Sequence, residues 1–184
     1  MALARVRAAT GRDVPALAAL HRTTWRAADG GLRPPQTLRE LDSPALARVW
    51  ADTLEAGATV LLATEGDEPV GFVVAGLAPP EEVAAADGTL PADAAQTGLV
   101  STLLVEPRWG RRGHGGRLLA AAAATLREAG ASRGITWVPA EDPATLSFYR
   151  RAGWDLDGTV RTLDAGGRML REMRLTGTLD LTVS

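Results

Sequence analysis

The chain has 184 residues and no cysteine. That absence excludes disulfides, thiolate-held metals, iron–sulfur clusters and a cysteine nucleophile. Lysine and asparagine are also missing, so all 20 basic residues are arginine, a bias that GC-rich coding produces by itself. Only His21 and His114 carry imidazole, too few for most zinc sites without carboxylate help, and no metal is expected. Tyrosine occurs once, at Tyr149, so any chemistry that needs a phenol falls to that side chain. The longest apolar run, Leu118 to Leu126 with Thr125 inside it, is about half the ~20 residues of a membrane span. No apolar stretch of signal-peptide type follows Arg5 and Arg7 at the start. These readings lead to the expectation of a cytoplasmic protein without a membrane partner.

Hydrophobic residues make up 46% of the chain and charged residues 23%, the balance of a globular domain able to bury a core unaided. A net charge of −2 argues against nucleic acid as a partner, since counterion displacement needs a basic surface. The charge is unevenly spread. Asp29 to Asp93 holds 12 acids and 3 arginines, net −9, whereas Val105 to Arg174 holds 8 acids and 12 arginines, net +4. A cationic ligand suits the first half and an anionic one the second, although solvated faces give such splits too.

Periodicity outlines the elements. Leu3 to Ala8 alternates as a short strand. Asp13 reads as an N-cap with Pro15 just inside a helix, whose apolar face is Leu17, Leu20, Thr24 and Trp25. Gly30 to Pro35 is a loop. Leu38, Leu41, Leu46, Val49, Trp50 and Leu54 mark a second helical region, broken near Ser43-Pro44 and ended by Gly57. Thr59 to Ala63 and Val70 to Leu77 are strands around a turn at Glu65 to Pro69. Pro79 to Gly98 reads as a long loop. Leu99 to Val105 is the clearest strand, and a glycine-rich stretch, Gly110 to Gly116, joins it to a helix from about Gly115 to Ala129. Ile135 to Val138 is a strand, and Pro143 to Arg151 a helix capped by Asp142. Gly158 to Leu163 and Met169 to Leu175 flank a hairpin turn at Asp164 to Gly167. No repeat or linker appears, so residues 1–176 read as one domain and 177–184 as a tail or final strand.

The strand–glycine loop–helix unit carries the strongest chemical signal. Converging loop amides and a helix N-terminus favour an anion, and Arg108, Arg111, Arg112 and Arg117 face only one local acid, Glu106. The expectation is a phosphate or pyrophosphate site, against the plainer alternative of a tight turn beside a solvated arginine face. The dinucleotide fingerprint fails because Leu118 occupies its third glycine position. A P-loop from Gly110 fails because Gly116 and Arg117 stand where Lys and Ser/Thr are required.

What the loop does match is a strand ending V-x-P, an R/Q-x-x-G-x-G/A loop and L-L on a helix. That pattern runs from Leu103-Leu104-Val105-Glu106-Pro107 through Gly110-Arg111-Arg112-Gly113-His114-Gly115-Gly116 to Leu118-Leu119. A second pattern, N-x-x-A-x-x-F-Y with G-F/W downstream, is matched by Asp142-Pro143-Ala144-Thr145-Leu146-Ser147-Phe148-Tyr149 and Gly153-Trp154. In both motifs and their order the chain resembles the GNAT superfamily of acyl-CoA-dependent N-acyltransferases, as it does in Thr24-Trp25-Arg26-Ala27-Ala28 and Trp154-Asp155-Leu156-Asp157-Gly158.

The resemblance implies a single-domain α/β fold, a twisted mixed sheet of about seven strands flanked by helices. It implies acetyl-CoA as co-substrate, its pyrophosphate on the amides of Arg111, Arg112, Gly113, His114, Gly115 and Gly116. The pantetheine arm would pair with Leu103 to Val105, and an N–H near Leu103 or Leu104 would polarise the thioester carbonyl. Asp142 and Phe148 take cofactor-side motif positions. Tyr149 matches the residue that protonates the departing thiolate, with packing in the core as its plainer role. Three departures stand out. Gly110 removes an Arg/Gln side-chain contact, Asp142 replaces the motif's Asn, and Leu99 occupies a familiar general-base position. Ser101 is then the candidate water relay, with Trp25, Trp50 and Glu82 near the acceptor. An acceptor amine of low pKa follows if no carboxylate acts as base. The expected function is acetyl transfer to a small-molecule primary amine, with a homodimer as the candidate assembly. A protein amine, or a non-catalytic acyl-CoA-binding module, are the alternatives.

Overall fold

The computed structural model describes residues 3–28, 39, 41, 43–164 and 167–181. The loop expected over Gly30 to Pro35, Leu38, residues 165–166 of the expected turn and residues 182–184 of the tail lie outside these. Seven strands form one sheet in the order β1-β2-β3-β4-β5-β7-β6: β1 Ala4–Ala8, β2 Thr59–Glu65, β3 Glu68–Leu77, β4 Thr97–Val105, β5 Arg133–Pro139, β6 Asp155–Asp164 and β7 Met169–Thr178. All neighbours run antiparallel except β4 and β5. Among the described residues these helices accompany the strands: α1 Val14–Ala28, α2 Ala45–Glu55, α3 Pro80–Val83, α4 His114–Glu128 and α5 Pro143–Arg151, and Arg39 and Leu41 are helical as well.

The two sheet faces bury different clusters. Leu118, Leu119, Ala122, Ala123 and Leu126 form one stripe of α4 and pack, with Tyr149 and Trp154, against Val73, Val100, Val138 and Leu175. On the other face Leu17 and Leu20 of α1 and Leu46 and Trp50 of α2 cover Val60, Leu62 and Phe72. Trp50, read as a candidate wall, is core and lies edge-on to Phe72 at 4.9 Å. Val49, placed on the apolar face by its spacing, is 57% exposed.

Two sequence expectations change. Asp13 is not the N-cap of α1, because a 3-10 turn over Gly11–Asp13 precedes that helix. Its carboxylate instead accepts from the N–H of Thr10 at 2.8 Å and from both terminal nitrogens of Arg7 at 2.8 Å. The Pro79 to Gly98 stretch is not a featureless loop either. It carries α3 and a 3-10 turn at Ala94–Gln96, and β4 begins within it at Thr97. Buried Arg174 holds this segment in place. Its guanidinium donates to the carbonyls of Glu82 and Ala84 at 2.9 Å each, to Asp157 at 2.6 Å and to Thr159 at 2.9 Å. Full pairing of this kind is what lets a charge be buried without a large penalty.

Strand β7 runs past residue 176 to Thr178, where it pairs with Arg133, and the buried Leu179 follows. Trp154 is fully buried over Gly134 and Gly177, whose absent side chains leave room for the indole. Its Nε1 donates to the Thr178 carbonyl at 3.1 Å. A Cβ on Gly177 would overlap that ring. Gly177→Ala is therefore expected to cost about 1–3 kcal/mol and to lower Tm by roughly 2–10 °C in a thermal melt.

Candidate active site

The sheet opens in its middle. Parallel pairing between β4 and β5 covers only Thr97 to Leu99 against Arg133 to Ile135, yet both strands continue beyond it. Ser101 is an extra residue in β4, since Val74 pairs with Thr102 while Ala75 pairs with Val100. Such a bulge bends its strand and raises the local twist. At the crotch of the resulting fork the Thr136 hydroxyl donates to the Val100 carbonyl at 2.8 Å, supplying the partner that strand pairing no longer provides.

Alternation fixes which backbone groups face the opening. The N–H of Glu106 donates to Val70 of β3, so Leu104 and Thr102 also direct their backbone groups to β3. Leu103 and Val105 direct theirs away from it, into the fork. Of the pair Leu103 and Leu104, only Leu103 offers an N–H there. The side chain of Leu104 packs with the α1–α2 cluster.

The glycine loop follows directly. Arg111 has φ 62, the only positive value at a non-glycine among the described residues, and Gly113 has φ 79 as N-cap of α4. Left-handed backbone at a non-glycine is strained, and such strain gathers at functional sites. The amides of His114, Gly115 and Gly116 open the helix, where no intrahelical acceptor exists for them. A Cβ at Gly115 would press on the Phe148 ring at 3.1 Å, whereas Gly116 faces open space. A groove of about 400 Å³ lies beside the loop between α4 and α5, lined by Gly113, Gly116, Arg117, Phe148 and Arg151 among others. Unpaired strand amides, a helix N-terminus and an adjoining groove fit an extended phosphorylated ligand.

The charges around this loop differ from the sequence count. Arg112 pairs with Glu65 at 3.1 Å and Arg108 with Glu68 at 3.0 Å, so the β2–β3 hairpin brings in two acids besides Glu106. Sequence reasoning missed Glu65, because its separation from Arg112 in the chain gives no local signal. The His114 ring is buried, with Nε2 2.9 Å from Glu65. Asp142 is committed to capping α5, accepting from the Thr145 N–H at 3.0 Å and the Thr145 hydroxyl at 2.6 Å. That leaves its charge engaged within the helix rather than facing the groove.

Tyr149 is 3% exposed. Burial pushes its phenol up to about 12, with a hydrogen bond to Thr136 acting in the opposite sense. The Tyr149 ring packs in the same cluster as Val100 and Val138, which lie on the two strands of the fork. Ser101 is exposed at the bulge, its hydroxyl 3.3 Å from the Val74 carbonyl. Trp25 and Glu82 are not brought together. Trp25 packs with the α1–α2 cluster, while Glu82 is bonded at 2.7 Å to Arg161, which lies over the Trp137 ring.

The family model described as Acetyltransferase (GNAT) family matches residues 17–154. The chain belongs to this family. It is an acyl-CoA-dependent N-acetyltransferase, and its co-substrate is acetyl-CoA. A probable N-acetyltransferase of Mycobacterium tuberculosis is 27% identical over 163 residues, 86% of this chain and 83% of the relative. Among solved structures, a ribosomal-protein-alanine N-acetyltransferase from Brucella melitensis has a TM-score of 0.69 at 21% identity, covering 95% of this chain and 99% of that one. A putative acetyltransferase from Salmonella typhimurium, solved with its cofactor acetyl-CoA, has a TM-score of 0.67 at 15% identity, covering 98% and 96%. At these identities the two structures speak for the fold. Among the described residues no helix is long and apolar enough to cross a membrane.

The single tyrosine makes its state directly readable. An ultraviolet titration of the folded GNAT protein should show no phenolate until pH approaches about 12, whereas the unfolded chain should titrate near ~10. Because the folded value is the raised one, this stabilisation is complete below ~10 and lost as pH climbs through the folded value.

Proposed function

We propose that the enzyme transfers acetyl from acetyl-CoA to the primary amine of a small molecule, in the cytoplasm and by direct attack in a ternary complex. The observation that carries this reading is the fork between β4 and β5, which has donor-side amides on one strand and a protonated phenol behind it. In this reading the pyrophosphate sits on the amides from Arg111 to Gly116. The pantetheine arm takes the place of the missing strand partner along Leu103 to Val105. Phe148 packs beneath Gly115, and Asp142 acts only by holding α5 and hence Tyr149 in position.

The amine nitrogen attacks the thioester carbon, and the C=O electrons move onto oxygen, which accepts a hydrogen bond from the Leu103 N–H. As the intermediate collapses the C–S bond breaks, Tyr149 supplies a proton to the sulfur, and the product is an amide. The proton leaving nitrogen passes to solvent through water at Ser101, and the Tyr149 phenolate takes a proton back from solvent to restore the enzyme. Burial disfavours the thiolate as it does the phenolate, which keeps the transfer from being strongly uphill. With Leu99 where a carboxylate would serve as base, the acceptor must bring its own free electron pair. Deprotonation at neutral pH costs about 1 kcal/mol for an amine of pKa ~8 and roughly 4–5 kcal/mol for one near ~10.4. The reading is therefore an α-amine or amino-sugar acceptor. The segment around α3, packed onto the Trp137 face by Arg174, favours a confined acceptor. A protein α-amine is the second reading. It suits the same lack of a base, and the Brucella neighbour is named for that activity.

Three measurements follow. Acetyl-CoA at about a hundredfold excess over Kd should add roughly 2.7 kcal/mol to the stability, with NAD and ATP inert; no shift would remove the reading. Tyr149→Phe should lower kcat by at least about a hundredfold while leaving acetyl-CoA binding intact, and an unchanged kcat would remove the tyrosine from the chemistry. The profile of kcat/KM against pH should rise with the acceptor's own ionisation and then stay level to about 10, since the phenol keeps its proton. A further enzyme ionisation abolished by Glu82→Gln would replace the base-free scheme.

A further inference from the structure

One carboxylate holds the glycine loop from below. Glu65, the last residue of β2, places Oε1 3.1 Å from Nη1 of Arg112 and Oε2 2.9 Å from Nε2 of His114. Arg112 and His114 are the residues immediately before and after Gly113, where the backbone is left-handed with φ 79. The two oxygens therefore grip both sides of the turn that starts α4. The His114 side chain is only 1% exposed, so its contact is shielded from water. Trp109 closes the cluster, with its ring 4.8 Å from the Arg112 guanidinium and 6.4 Å from the His114 ring. Arg117 adds a bond from Nη1 to the Arg112 carbonyl at 2.8 Å.

A segment this rich in glycine has many accessible conformations, and a ligand that must order it loses affinity. Holding the turn in advance removes that cost. Glu65 is at the same time an anion beside the loop assigned to the pyrophosphate. Coulomb's law alone makes it a repulsive neighbour of that ligand. Its geometric and electrostatic effects on binding thus have opposite signs, which makes them separable.

We propose that Glu65 is a positioning residue for the acyl donor. Through Arg112 and His114 its carboxylate fixes the Gly113 turn in the form whose amides receive the pyrophosphate. The inference rests on the loop's role in the proposed function. It adds a residue from a different part of the chain, outside both motifs.

The test compares the full-length protein with Glu65→Ala and Glu65→Gln by calorimetric Kd for acetyl-CoA, steady-state kinetics and thermal melting. Glu65→Ala should raise both Kd and the KM for acetyl-CoA about tenfold, the effect of losing one or two charge-assisted hydrogen bonds. At saturating donor, kcat should stay within about twofold, because no reacting atom meets Glu65. Glu65→Gln should fall between, since its amide oxygen can still accept one of the two bonds. Equal or tighter binding by Glu65→Ala, as charge removal alone would produce, overturns the proposal. So does a lowered Tm with an unchanged Kd, which is the mark of a purely structural contact. If Glu65→Ala does not fold, Glu65→Gln decides: a Kd raised a few-fold supports the clamp and an unaltered or lower one overturns it. Failure of the unaltered protein to bind acetyl-CoA would refute the donor assignment itself.

Discussion

The rest of the structure depends on a set of hydrogen bonds that two neighbouring strands do not make. β4 and β5 pair over three residues at one end and then part. Backbone groups left by that parting must find other partners, because unpaired polar groups inside a protein are costly. The first vacancy, at Val100, is filled by the Thr136 hydroxyl. Those at Leu103 and Val105 are open to a ligand's own amides. The Ser101 bulge belongs to the same device, because it turns β4 just where the separation begins. A strand gap of this kind can be kept only where the surrounding layers hold the sheet. Here α4 and α5 cover one face and α1 and α2 much of the other.

Ion pairs gather beside the glycine loop and around the segment between β3 and β4. The arginines that follow β4 face the loop, but two of them are paired with Glu65 and Glu68 across the β2–β3 hairpin. Around the Trp137 ring, Arg161 and Arg174 bind carboxylates or carbonyls from α3, β6 and β7. A buried, fully paired guanidinium such as Arg174 specifies a single arrangement of the segment it touches. The long stretch between β3 and β4 is accordingly a docked wall.

Much of this was legible along the chain. The Asp142 cap, the α5 limits and the glycine stop at Gly57 appear in the structure where the local residues put them, since caps and left-handed turns depend on immediate neighbours. The pattern Gly110 to Gly116 likewise marked the loop. The misreadings share a cause. Asp13 looked like an N-cap, but its carboxylate is taken by Thr10 and Arg7. The Pro79 to Gly98 stretch looked loose because the groups that hold it, Arg161 and Arg174, come from β6 and β7. The single acid counted beside the arginine cluster became three once the hairpin was folded against it.

By itself the sequence determined the order of the elements, the two motifs with their family, and the tyrosine on which phenol chemistry must rest. Each of these is written in residues close together, or in a residue type that occurs once. Only the tertiary structure decided that β4 and β5 part after Leu99, that Leu103 rather than Leu104 faces the gap, and that Glu65 meets both sides of Gly113. These depend on strand register and on a bulge whose residue, Ser101, carries no distinctive signature. They depend also on contacts between positions nearly fifty residues apart, Glu65 and His114. Register is a property of paired strands, and no single stretch of chain contains it.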